Sequence, residues 1–298
     1  MSEAVDPVAV HEALVARVLA RPGVVVLLGG IDSGKTTVAR TLLAAALEAG
    51  HEPVLLDTDV GQSTVGPPTT IGLRHIRDAD DIADPFTADA LYFVGDITPR
   101  SQLLPLLTGT ARLLEDARRR SRLVVVDTSG LVTGVLGQTL KFHKLELARP
   151  DHVVGLQRGA ELEPLLGVAR RFTPAEVTPL PVHPDVVPTG VEERAERRRA
   201  RLERYFSGEL HRFRVKESVF MPSLPPGFDL SLLHGMLVSL EDGRGACIGL
   251  GVLEHDDSGL RLKTVVDQVP SGLRLGSTRV DSAWRPRAVD VASLLGSA

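Results

Sequence analysis

Residues Gly29 to Thr36 read GGIDSGKT, and this spacing constrains the fold more tightly than anything else in the chain. A G-x-x-x-x-G-K-[ST] pattern works only between a buried strand and the start of a helix. Gly29 and Gly34 let the backbone curl so that its N–H groups aim at phosphate oxygens. Lys35 would then reach the outer phosphates of a nucleoside triphosphate, and the Thr36 hydroxyl would ligate Mg²⁺. Gly30, Ile31, Asp32, Ser33 and Thr37 complete the expected nucleotide-contact set. The context fits: Val24 to Leu28 is an unbroken apolar run, and Thr37 to Ala49 reads as a helix that ends at Gly50.

The pattern continues as alternating strands and helices. Residues 8 to 20 carry Val8, Val10, Leu14, Val15, Val18 and Leu19 at helical spacing. Strands are predicted ending at Asp57, over Ala90 to Asp96, over Leu123 to Asp127 and over His152 to Leu156, with a long helix from Gln102 to Arg120 and an ordered Gly/Pro/Ser/Thr loop over 60 to 70. The fold class expected is α/β, a P-loop parallel sheet flanked by helices with right-handed crossovers. After about residue 206 the style changes. Residues 211 to 275 alternate short polar and apolar stretches with Asp242-Gly243 and Ser258-Gly259 turns, the look of a small antiparallel β unit. The expected division is 1–206 and 207–298, with an arginine-rich helix over about 190–206 closing the first part.

Two apolar strands end in aspartate, at Asp57 and Asp127, and either could hold Mg²⁺ through a water. Capping the following turn is the alternative for each. Asp57 is favoured because Asp59 follows two residues on, so an extended segment puts both carboxylates on one side. One could organise the metal while the other takes a proton from an attacking hydroxyl. Asp127-Thr-Ser-Gly130 also fits the D-x-x-G element of GTPases, but the chain contains no asparagine to build their guanine-reading N-K-x-D segment. The donor base is therefore left open between ATP and GTP.

The stretches GGIDSGKTT, LLDTDVGQSTVGPPTTIGL, FVGDITP and VVVDTSGLVTGVLG together resemble the polynucleotide 5′-hydroxyl kinase family over about residues 24 to 206. The resemblance implies transfer of a nucleotide γ-phosphate, with Mg²⁺, to the 5′-hydroxyl of single-stranded or duplex-end RNA or DNA. It assigns Lys35 and Thr36 to phosphate and metal, Asp57 and Asp59 to the D-x-D pair with Asp59 the base, and Gln62 to the acceptor side. Thr128 and Gly130 match a clasp around the phosphate chain. The family has a lid with R-x-x-x-R spacing before a Tyr-Phe pair, and Tyr205-Phe206 stands in that place. Arg197 and Arg201 are thereby the favoured lid arginines, with Arg194 and Arg198 at the same spacing. Leu131 replaces the tryptophan that commonly follows the clasp, so stacking on a base is not available there. Arg100, just beyond a strand's carboxyl end, is a further expected substrate contact.

Composition bounds the remaining readings. A net charge of -4 gives no bulk attraction to nucleic acid, so a strand must use a local basic patch. Cys247 is the only cysteine, which excludes an intramolecular disulfide and points to a reducing compartment. Neither a signal-peptide layout nor an apolar run near the roughly 20 residues of a membrane span occurs, so the expectation is a cytoplasmic protein with no membrane partner. His143, among Lys141, Lys144 and Glu146, reads as a surface helix residue. Ser129 lacks the elbow of a hydrolase nucleophile, and Arg118 to Arg120 read as charges complementing a helix C-terminus. Two rival functions stand beside the kinase: a catalytically silent nucleotide-binding scaffold in RNA processing, and a kinase for a small metabolite.

Overall fold

The computed structural model describes residues 7–296; the side chain of Val8, expected on the buried face of the first helix, lies outside the described residues. The chain opens with α1 (Pro7–Ala20), β1 (Val24–Gly29), α2 (Lys35–Glu48) and β2 (Val54–Thr58). Next come β3 (Thr70–His75), α3 (Ala79–Ala83), β4 (Ala90–Phe93), α4 (Leu103–Arg120) and β5 (Val124–Thr128). They are followed by α5 (Gly134–Ala148), β6 (His152–Gln157), α6 (Glu163–Phe172), β7 (Glu176–Pro181) and α7 (Val191–Tyr205).

The strand order β2-β5-β1-β6-β7 is parallel throughout, as the buried apolar runs require. In β1 the side chains alternate. Val24, Val26 and Leu28 join the core under α4, α5 and α6, while Val25 and Leu27 join the core under α1 and α2. The register between β2 and β5 pairs Asp57 with Asp127 and Thr58 with Thr128. One register thus fixes where four polar side chains emerge at one end of the sheet.

The sheet is not parallel beyond β2. β3 runs antiparallel to both β2 and β4, a correction to the all-parallel expectation. Residues 70–75, TIGLRH, carry a mid-strand glycine and two basic residues, which hide the strand from an apolar-run reading.

The C-terminal part consists of β8 (His211–Arg214), β9 (Phe220–Met221), β10 (Met236–Glu241), β11 (Cys247–Asp256), β12 (Gly259–Thr264), β13 (Gly272–Val280), β14 (Pro286–Ala288) and α8 (Val291–Leu294). Its main ladders are antiparallel, and the β10–β11 and β11–β12 turns fall at Asp242 and Ser258 as expected. β11 pairs with β4 through Cys247 and Leu91, so the described strands form one continuous sheet. Phe93, Leu202, Phe206, Leu237, Leu250 and Val252 share a core at this junction. Phe206 stacks on Trp284 with ring centroids 4.5 Å apart, and the Tyr205 hydroxyl accepts a 2.8 Å bond from Leu250 N. The C-terminal end of α7 is therefore anchored in the β unit.

No described helix is long and apolar enough to cross a membrane. Phe93 is buried between the two parts, so Phe93→Ala should cost about 3–5 kcal/mol by cavity formation, read from the urea midpoint. A loss under about 1 kcal/mol would mean that the junction is loosely packed.

Candidate active site

The phosphate loop lies between β1 and α2. Gly34 occupies the N-cap of α2 at φ 90°, a left-handed conformation that a side chain would strain. At Gly130 a Cβ would lie 2.6 Å from Ile31 N, so the clasp segment packs directly on the loop. Lys35 folds over the loop, its Nζ donating to Gly30 O at 2.7 Å and to Ser33 Oγ at 3.4 Å. Arg158 and Thr189 brace the loop through Asp32: Arg158 Nη2 donates to Asp32 O at 2.7 Å, and Thr189 N to Asp32 Oδ2 at 2.7 Å.

The carboxylate beside Thr36 is Asp127, not the favoured Asp57. Thr36 Oγ1 donates to Asp127 Oδ2 at 2.7 Å, while Asp127 Oδ1 is buried without a hydrogen-bond partner. A hydroxyl and an unpaired carboxylate oxygen are the hard oxygen donors that Mg²⁺ takes with its waters, so these two residues fit the ion. Asp57 is spoken for. It accepts bonds from Asp59 N at 2.9 Å, Thr64 Oγ1 at 2.8 Å and Val65 N at 3.2 Å, and one from Thr64 N, and so pins the 59–65 loop. Burial and the nearby charges of Asp127 and Asp59 push the Asp57 carboxyl up to about 7 against the opposing N–H donors of Asp59 and Thr64. Burial also raises Asp127, opposed by Lys35 and by the Thr36 hydroxyl.

The residues expected on the acceptor side line the same cleft. Asp59 Oδ1 accepts from Gly61 N at 3.0 Å and Gln62 N at 3.1 Å, so it caps the turn that carries Gln62. Asp59, Gln62 and Arg100 line one cleft of about 670 Å³ together with the phosphate loop, Asp127, Thr128 and Gly130. Arg100 is exposed on a short 3₁₀ turn at Pro99–Ser101. That turn is held by Asp96, which accepts from Thr98 N at 3.0 Å and Ser101 Oγ at 2.6 Å. Just beyond it, Gln102 Nε2 donates to Ser277 Oγ of β13 at 2.7 Å.

The arginines of α7 divide by helical phase. Arg194, Arg197 and Arg198 line the cleft. Arg201, expected there, turns away: its Nη1 donates to Thr64 O at 3.3 Å and its guanidinium lies 5.9 Å from the Phe86 ring centre. Arg204 pairs with Asp84 at 3.0 Å, and Arg199 with Glu196 and Glu203 on the outer face. Arg197 is exposed and bonded to Glu193, so the inward side chains are Arg194 and Arg198. Arg198 Nε is buried without a hydrogen-bond partner. Burial and neighbouring Arg194 lower its guanidinium, and the Asp59 carboxylate opposes them.

Two further residues escaped sequence reasoning. Lys141 and Lys144, the neighbours of His143, are buried, while His143 itself reaches solvent as expected and bonds the exposed Glu146 at 3.1 Å. Lys141 Nζ donates to Thr128 Oγ1 and Ser129 O, and Lys144 Nζ to Thr58 Oγ1 and Thr58 O. Burial lowers both: Lys144 to about 8, against the carboxylates of Asp59, Asp57 and Asp127, and Lys141 well below the ordinary lysine range, where Lys144 and Lys35 add to burial and Asp59 and Asp127 oppose it. The one available signal was their place beside the apolar Leu140 and Leu145, at positions that share a helix face.

A strand, phosphate loop and helix at the carboxyl end of a parallel sheet, with a carboxylate against the loop's threonine, define a P-loop nucleotide-binding protein. Residues 29–208 match the family described as mRNA cleavage and polyadenylation factor CLP1 P-loop, and the chain belongs to that family. It is 28% identical to a polyribonucleotide 5′-hydroxyl-kinase of Pyrococcus abyssi, over 88% of this chain and 89% of that one. It is 32% identical to the polyribonucleotide 5′-hydroxyl-kinase Clp1 of Rattus norvegicus, over 78% of this chain and 55% of that one. The solved Clp1p chain in complex with Pcf11p superposes with a TM-score of 0.73 at 16% identity, covering 91% of this chain and 79% of that one. The last likeness is one of fold.

The Asp57 carboxyl gives a pH dependence of stability. From 3.8 to about 7 the native state keeps the proton that the unfolded chain has lost, so this contribution falls as pH rises through that window. In metal-free buffer the urea midpoint should fall between pH 5 and pH 8 more steeply in the wild type than in Asp57→Asn. Equal slopes would mean that Asp57 is ionised throughout.

Proposed function

We propose that the chain is a Mg²⁺-dependent polynucleotide 5′-hydroxyl kinase that moves the γ-phosphate of ATP or GTP to the 5′-hydroxyl end of RNA. The observation that carries this reading is that groups suited to a phosphate donor and to a hydroxyl acceptor line one cleft. Phosphate-loop residues, Lys35, Thr36 and Asp127 would serve the donor, Asp59, Gln62 and Arg100 the acceptor, and Arg198 faces in from α7. A nucleotide-binding scaffold needs none of the acceptor-side groups. Relatives named as polyribonucleotide 5′-hydroxyl-kinases, matched over most of both chains, support the enzyme and favour RNA over DNA as acceptor. On this reading residues up to about 206 make the catalytic unit, α7 is its lid, and 207–298 form a β unit that braces the acceptor loop.

The loop N–H groups and Lys35 hold the triphosphate, with the positive end of α2 behind them. Thr36 and Asp127 would hold Mg²⁺, which when bound offsets charge on the phosphate oxygens. Asp59 lines the same cleft as Lys35, where it would orient a terminal hydroxyl for in-line attack and take its proton. The oxygen forms its bond to the γ-phosphorus as the bond to the bridging oxygen of the nucleoside diphosphate breaks. Arg194 and Arg198 stabilise the charge on the phosphoryl group in flight. Thr128 and Gly130 keep the phosphate chain against the loop.

Labelled γ-phosphate should pass from ATP or GTP to 5′-hydroxyl RNA oligonucleotides, and not to free nucleosides, which separates this reading from a metabolite kinase. Asp59→Asn should cut kcat by about 10²–10⁴ while nucleotide affinity holds, and Lys35→Ala should weaken both. Wild-type protein that binds nucleotide and labels no acceptor would leave the scaffold as the better account. For the lid, Arg198→Ala should lower kcat by about 10²-fold and Arg201→Ala by far less. The reverse order would restore the Arg197–Arg201 register.

A further inference from the structure

Lys141 and Lys144 stand three residues apart on α5, with relative exposures of 0% and 2%. Removing an ammonium from water costs several kcal/mol, and well-packed apolar residues of similar volume commonly serve stability as well or better. If α5 needed only packing at these positions, leucine or methionine would supply it. The cost of burying two charges has to be returned by what they hold.

What they hold is the set of strand ends from which the cleft is built. Lys144 Nζ donates to Thr58 Oγ1 at 2.7 Å and to Thr58 O at 3.2 Å. The Thr58 hydroxyl spends its own proton on Asp127 O at 2.8 Å, so it can only accept from the lysine. Lys141 Nζ donates to Ser129 O at 2.6 Å, Thr128 Oγ1 at 3.0 Å and Ser129 Oγ at 3.3 Å. The Thr128 hydroxyl in turn donates to Leu27 O at 2.8 Å, two residues before the phosphate loop. Two lysines on one helix thus hold the ends of β2 and β5, and the Thr58 and Thr128 hydroxyls they bond carry the links on to Asp127 O and to Leu27 O of β1. The residue after Thr58 is Asp59, and the residue after Ser129 is Gly130, which packs on Ile31.

We propose that Lys141 and Lys144 are positioning residues of the phosphoryl transfer, Lys144 setting Asp59 through Thr58 and Lys141 setting the Thr128–Gly130 segment against the phosphate loop. The proposal rests on the kinase reading above. Because the two lysines act through different strands, they control different quantities. Lys144 governs the acceptor-side base and hence kcat, while Lys141 governs the grip on the nucleotide. A purely structural pair would lower melting temperature and let every kinetic constant follow it.

The test uses the full chain with Lys144→Met, Lys141→Met, Thr58→Val, Thr58→Ser and the Lys144→Met/Thr58→Val double variant. Melting temperature, Kd for a fluorescent ATP analogue, and kcat and KM with a 5′-hydroxyl RNA oligonucleotide are read for each. Displacement of Asp59 should lower kcat of Lys144→Met by about tenfold to a hundredfold with nucleotide Kd nearly unchanged. Thr58→Val should match it, the double variant should be no worse than either single, and Thr58→Ser should restore the wild-type rate. Lys141→Met should instead raise nucleotide Kd by about tenfold. Folded Met variants with wild-type kcat and Kd, or losses that track melting temperature alike in both, overturn the proposal. Should Lys144→Met fail to fold, Lys144→Gln and Thr58→Val decide the point together, since wild-type kcat in both overturns the Lys144 half; Thr58→Val alone leaves the bond to the residue 58 carbonyl. A wild type that transfers no phosphate sinks the kinase reading and the Lys144 half with it, whereas Kd of Lys141→Met still decides the other half.

Discussion

Asp57, Asp59 and Asp127 converge at the carboxyl ends of β2 and β5, close enough to repel one another where little water reaches. Three carboxylates cannot be gathered in such a place without compensation. Three lysines stand near them, Lys35 from α2 and Lys141 and Lys144 from α5, together with N–H and hydroxyl donors from the loop over 59–65. Each carboxylate leaves this arrangement with a different task. Asp57 is consumed in pinning its own loop, Asp59 caps a turn at the cleft, and Asp127 keeps one oxygen unbonded beside Thr36. The chemistry proposed for the cleft follows from which oxygens remain free.

The β unit enters the same system from the other side. In β13 the Ser277 Oγ accepts from Gln102 Nε2, and Ser277 N donates to Gly95 O at 2.7 Å. The segment between those two points carries Thr98 and Arg100 along the cleft wall and is held by the buried Asp96. The unit also seizes the end of α7 through Tyr205, Phe206 and Trp284, while Arg201 and Arg204 pin that end to the 64–86 region. The C-terminal end of α7 is thus anchored in the β unit, and the 95–102 segment that lines the cleft is bonded to β13 of the same unit.

Much of the fold was open to reading in the chain itself. The apolar runs of β1, β2, β5 and β6 have one interpretation when a phosphate loop follows the first of them, and the turn residues after 240 announce hairpins. β3 is hard to read from the chain because TIGLRH has no apolar run and its alternation rests on Ile71 and Leu73 alone; it is held by Arg74 and by strands on both sides, partners that no local pattern encodes. The donor side of the cleft was legible as a motif, since a loop of adjacent residues carries its own geometry. The acceptor side was legible only by resemblance.

The phosphate loop, the parallel core strands, the aspartates at their ends and an arginine-rich helix before Tyr205 are written in the chain as local properties, set by spacing along the backbone and by the periodicity of burial. Which aspartate meets Thr36, which arginines face the cleft, and the burial of two lysines beside His143 came from the folded arrangement. For the aspartates and the arginines the sequence offered chemically equivalent candidates. The choice rested on the β2–β5 register, the rotation of α7 about its anchored end and the packing of α5 on the sheet. Those are relations between segments far apart in the chain, and they exist only once the chain has folded.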